Sequence, residues 1–178
     1  MTPMGCAMGI ADYLTDYFRK HEEFSDLDQP GQESRIVKWD KPVSVYAGFL
    51  PIAKTRQEQD ELCPAVVLRP VEVNDKDNET LVTMAAIITT LDADRKQGCL
   101  SLYHLLEVVR FALLSEQTIA GKYLLQDGEM RTVVPDQQPY PQWWGEIDFK
   151  IYLPQPERNI HGFVGGEVWA NGKREPME

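Results

Sequence analysis

The chain has little of almost everything that carries chemistry. Among its 178 residues there are three cysteines and three histidines. Cys6, Cys63 and Cys99 are odd in number and far apart, which excludes a disulfide framework and fits no zinc spacing. They read as thiols behaving as small apolar residues, in keeping with a reducing cytosol. His21, His104 and His161 are scattered, with no Cys or carboxylate partner in a metal-ligand pattern. His104 falls on a helix and reads as a surface or satisfied core residue. There is no Gly-x-Ser-x-Gly elbow and no phosphate-cradling loop. Gly162-Phe-Val-Gly-Gly166 has the glycines, but no helix follows it, so it reads as a flexible turn. The acidic pairs Asp75/Asp77 and Asp92/Asp94 lack the further oxygen ligands and closing Glu of a calcium loop. They read as solvated turns, and Asp92 and Asp94 suit the turn before a helix.

Long apolar runs are also missing. None approaches the roughly 20 residues that cross a bilayer. Residues 1–9 carry no basic group and no sustained apolar stretch, so no secretory signal is expected. Basic residues are in deficit: 18 Lys and Arg against 28 Asp and Glu leave a net charge of −10. That disfavours nucleic-acid binding through a basic footprint. An acidic surface serves solubility, and it also suits a protein past which DNA slides without sticking. These absences lead to an expectation of no catalytic residue, no cofactor and no metal.

What remains is a chain long enough to build one hydrophobic core without staples. Ile10, Tyr13, Leu14, Tyr17, Phe18 and Phe24 recur at helical spacing opposite a face of mixed charge, predicting a core-facing helix. Residues 25–34 form a polar loop with a Pro-Gly pair. Val43, Val45 and Ala47 alternate as a strand. Residues 54–62, charged and glutamine-rich, are exposed loop or short helix. Residues 63–73 predict a strand with proline at both ends, placed at an edge or broken near Pro70. The turn at 74–79 joins it in a hairpin to the apolar strand 81–91, which should be central and covered on both faces.

After the polar turn 92–98, an amphipathic helix is expected from Leu100 to about Ser115, with Leu102, Leu105, Leu106, Val109 and Leu113 on one face. Residues 122–126 and 131–134 flank Asp127-Gly128 and predict two short strands around a turn. A proline-rich connector, 135–141, leads to a last strand, 144–153. The fold expected is an α+β sandwich: a mainly antiparallel or mixed sheet with helices on one face. Residues 1–153 form its single domain. Residues 154–178, rich in glycine and proline, form a C-terminal extension, a flexible tail or arm.

The best candidate for a functional surface is Tyr140, Trp143 and Trp144, because aromatic residues anchor interfaces. Neighbouring strand residues face opposite ways, so one tryptophan should enter the core while the other lies on a face or at a subunit contact.

The ordered series Cys63-Pro-Ala-Val-Val-Leu-Arg69, the acidic hairpin turn, Thr90-Leu91-Asp92, Gln97-Gly98, the leucine-rich helix with Arg110, and Gln138-Pro-Tyr-Pro141 followed by Gly145 resembles a known family. It is similar to the tail terminator (minor tail or tail-component) proteins of long-tailed bacteriophages and prophages. The resemblance covers about residues 60–153. It departs from the family at Cys63, at Cys99-Leu100 where an aromatic is usual, and at Trp143-Trp144, and it excludes the extension. The resemblance implies an α/β fold and a non-enzymatic virion assembly protein without cofactor. Such a protein acts as a homo-oligomer, a hexameric ring, though it can be monomeric before assembly. It caps the tail-tube protein, stops polymerisation and offers a face to the head–tail connector, and DNA passes through without specific binding. Its place would be the bacterial cytoplasm during assembly and then the virion tail, with no membrane association. Two alternatives stand beside it. One is another neck component, a connector or tail-tube subunit. The other is a small ligand-binding domain or enzyme, which would need Asp92, His104, Arg110 and Glu146 to converge in a cleft.

Overall fold

The computed structural model describes residues 2–20, 41–76, 79–116 and 118–155 with their side chains. Beyond residue 155 it describes only the backbone of three short strands. The expected loop 25–34, together with His21, Phe24, Asp77 and His161, lies outside the described residues.

Helix α1 (Pro3–Lys20) buries Cys6, Ala7, Ile10, Ala11 and Leu14. These positions fall on one stripe of a 3.6-residue helix, which is why the segment folds as one and which side turns inward. Strand β1 (Ser44–Ala47) and the short helix α2 (Arg56–Glu61) follow. The Thr55 hydroxyl caps α2 by accepting the Glu58 amide at 3.1 Å, while the Glu58 carboxylate accepts the Lys54 amide at 2.7 Å.

The central hairpin is β2 (Ala65–Asp75) and β3 (Thr80–Leu91). Helix α3 (Arg95–Leu114) leads on to β4 (Thr118–Ile119), β5 (Tyr123–Leu125), β6 (Arg131–Val133) and β7 (Gln142–Leu153). These strands form one mixed sheet in the order β1-β2-β3-β7-β5-β4, with β6 also on β7. Among the described strands, β1 on β2 is the one parallel pair. The α+β architecture read from the sequence is therefore the one observed.

The alternation of the long strands decides the layers. Val66 and Leu68 of β2, Val82, Met84, Ala86 and Ile88 of β3, and Ile147, Phe149 and Ile151 of β7 share one face. They pack with α1 and with Leu102, Leu105, Leu106, Val109, Ala112 and Leu113 of α3. The Tyr13 hydroxyl donates to the Ala112 carbonyl at 3.0 Å and ties the two helices together.

The structure corrects several expectations. β3 is central, and among the described residues helices cover one face of it: on the other, Leu81 and Ala85 are buried while Thr83, Ile87 and Thr89 are half-buried. Period-two counting sees β3 as apolar twice over, yet two of those second-face residues are threonines that tolerate water. Helix α3 starts at Arg95, five residues early, because Asp94 caps it, so Gly98 lies inside the helix. Strands β5 and β6 do not pair with each other around Asp127-Gly128; both pair with β7. β2 is interrupted as expected, by a bulge between Pro70 and Glu72. β1 pairs it only over Ala65–Leu68, which leaves its second half at the edge. The extension contains backbone strands β8 (Phe163–Val164), β9 (Glu167–Ala170) and β10 (Lys173–Glu175), joined antiparallel.

Candidate functional site

The turn between β3 and α3 is built from its carboxylates. Asp92 Oδ1 accepts the Asp94 amide at 2.8 Å. Asp94 Oδ1 accepts the Lys96 and Gln97 amides at 2.8 and 2.9 Å, closing the first turn of α3. These are turn and cap roles, and they occupy the groups that the sequence offered as an acidic pair.

Two of the three candidate aromatics converge on this turn. Trp143 Nε1 donates to the Asp92 carbonyl at 3.0 Å, and its ring lies against Gly98, where any Cβ would collide with it. The Tyr140 hydroxyl donates to the Ala93 carbonyl at 2.8 Å. The Arg95 guanidinium stands 5.7 Å from the centre of the exposed Tyr140 ring. Trp144 points to the opposite face of β7, as its position next to Trp143 requires. Its backbone is held by Gln138, whose Oε1 accepts the Trp144 amide at 2.7 Å and whose Nε2 donates to the Trp144 carbonyl at 3.1 Å. Tyr140 and Trp143 thus clamp the β3–α3 turn, and Trp144 stands apart from them. Beside the clamp is an open polar depression of about 570 Å³, lined among others by Lys54, Arg56, Gln59, Tyr140 and Gln142.

Asp92, His104, Arg110 and Glu146 do not share a cleft. Asp92 belongs to the turn, His104 and Arg110 lie on α3, and the Arg110 side chain is exposed beside Glu107. Glu146 belongs to the sheet face turned away from α3. Burial lowers the His104 pKa. Burial also pushes the Cys6 and Cys63 thiols up, away from the thiolate that reactive cysteines need.

The open face of the sheet carries charge that single-residue reading passed over. Arg69, Ala85, Asp148 and Arg131 occupy one register row across β2, β3, β7 and β6. Arg131 holds Asp148 Oδ2 at 2.8 and 3.2 Å, and Lys150 meets Glu129 at 2.8 Å. The Lys150 ammonium lowers the Glu129 pKa and is itself held up by that carboxylate. Burial, then the neighbouring Asp148, raises the Glu146 pKa. The signal was present in the sequence as Glu146, Asp148 and Lys150 at every second position. What was missing was the register that brings arginines from β2 and β6 beside them.

Among the described residues, no group of three His, Cys, Asp or Glu side chains is arranged to hold a metal. No described helix is long and apolar enough to cross a membrane. Compared with known proteins, the chain matches no protein-family model and no curated sequence.

Proposed function

We propose that the chain is a virion assembly protein of the tail terminator type: a subunit that closes into a ring on the end of a phage tail tube, stops its polymerisation and offers a face to the head connector. The observation that carries this reading is the ordered resemblance over about residues 60–153. Its pieces fall on consecutive parts of one folded unit: β2, the hairpin turn, the end of β3, α3 and the connector into β7. Two further features support it. The aromatic clamp and the carboxylates of the β3–α3 turn are engaged in holding the chain together. Among the described residues the sheet also ends in β1, with the second half of β2 beside it, and in β4, edges on which a neighbouring subunit has backbone to pair with. A head-to-tail contact with the right rotation closes into a ring and needs no catalytic group.

The test is loss of the gene in the phage or prophage that encodes it. Over-long tails lacking heads are expected. Tails of ordinary length joined to heads would overturn the reading.

A further inference from the structure

We propose that the outward side of α3 is a twofold contact between two copies of this chain. Leu100, Tyr103, Phe111 and Leu114 are 40%, 50%, 51% and 44% exposed on the side of α3 turned away from the sheet. At about 100° per residue these four, with Glu107 and Arg110, fall within an arc of about 100°, along about 21 Å of helix. The inward side of α3 is fully used by the core through Leu102, Leu105, Leu106, Val109, Ala112 and Leu113. A solvated outer side should be polar; an apolar stripe in its place marks a contact.

The spacing says what kind of contact. Positions 100, 103, 107, 110 and 114 step by three and four, the seam along which one helix packs on another. The charges say which helix. Glu107 and Arg110 are 3.3 Å apart and exposed, at the middle of an otherwise apolar seam. A twofold axis crossing α3 between them sets a second copy antiparallel. Each Glu107 then faces the other copy's Arg110, and each Tyr103 faces the other copy's Leu114. Phe111 and Leu100 flank these layers. The seam is complementary to its own reverse, which is the requirement for an isologous pair. This contact is separate from the head-to-tail contact of a ring and does not depend on the tail terminator reading.

The experiment uses the full chain and two charge reversals, Glu107→Lys and Arg110→Glu. Each variant alone sets like charges across the axis, and the 1:1 mixture restores opposite charges in both central layers. The wild type is expected to show a concentration-dependent dimer mass by light scattering at up to about 100 µM, a range that detects weak pairing. Each variant should keep its circular dichroism spectrum and pair at least about tenfold more weakly. The mixture should regain a 1:1 heterodimer, identified by its intermediate mass in native mass spectrometry. A second variant set adds Phe111→Asp to both partners and should abolish the rescue. A wild type that stays monomeric, or a mixture no better than its parts, overturns the proposal, as it would if the chain's own segments covered the stripe. A ring that persists unchanged in both variants overturns it too while leaving the tail terminator reading standing.

Discussion

Trp143 shows how one side chain couples two elements. Its indole closes over Gly98 and bonds the Asp92 carbonyl, so it fixes the end of β3 and the start of α3 together. Trp143→Ala should lower the urea midpoint by an amount equivalent to about 3 kcal/mol, the low end for tryptophan truncation because the ring is half-buried. Trp144→Ala, on the other face of β7, should cost clearly less. Equal losses would contradict the clamp. Glu146 gives a pH signature. Its folded pKa lies above the ordinary carboxylate value, so the folded chain holds more proton than the unfolded chain between the two values. Stability contributed there therefore falls as pH rises through that window. Glu146→Gln should be slightly more stable than the parent at neutral pH, within about 0.5 kcal/mol, because the group is only half-buried and solvent screens it. The gain should vanish in acid below the ordinary carboxylate pKa, and thermal melts at the two pH values check it.

At the scale of elements, α3 carries the most consequence. Its inward leucines were legible because apolar residues three and four apart lie on one helical face. Its start was not, because Gly98 looks like a helix boundary until the Asp94 cap and the Trp143 ring are seen. Asp94→Ala should cost about 1 kcal/mol and Asp94→Asn much less, since both the Lys96 and Gln97 amides bond the single oxygen Oδ1, which an Asn side chain keeps. Leu105→Ala, at a fully buried position, should cost about 2–5 kcal/mol in denaturant unfolding. The charged row on the open sheet face was half legible. Alternation along β7 placed Glu146 and Asp148 together on one face, but no reading of β7 alone supplies Arg69 or Arg131. Those arrive by register, and register is a property of pairs of strands.

For the whole molecule, the decisive quantity is the mass of the assembled species. If the chain acts as proposed, a closed ring of six should appear in negative-stain images, either alone or on its tail tube. Acidic side chains should then line the bore that DNA passes, in keeping with the net charge of −10. A basic bore, or a chain that remains monomeric when mixed with its tail tube, would count against the proposal.

The sequence by itself determined the types of the long elements α1, β2, β3, α3 and β7 and the inward faces of the two long helices, because periods of two and 3.6 are local properties of the backbone. It determined the α+β class, since a hairpin of long apolar strands and an amphipathic helix must bury against each other. It also determined that Trp143 and Trp144 part company across β7. Only the tertiary structure decided that both described long helices pack on the same face of β3, that β5 and β6 both pair with β7, and that Tyr140 and Trp143 hold the β3–α3 turn. The physical reason is the same in each case. Which strands become neighbours, and which side chain meets which carbonyl 47 or 51 residues away, depends on loop closure and packing across the whole chain.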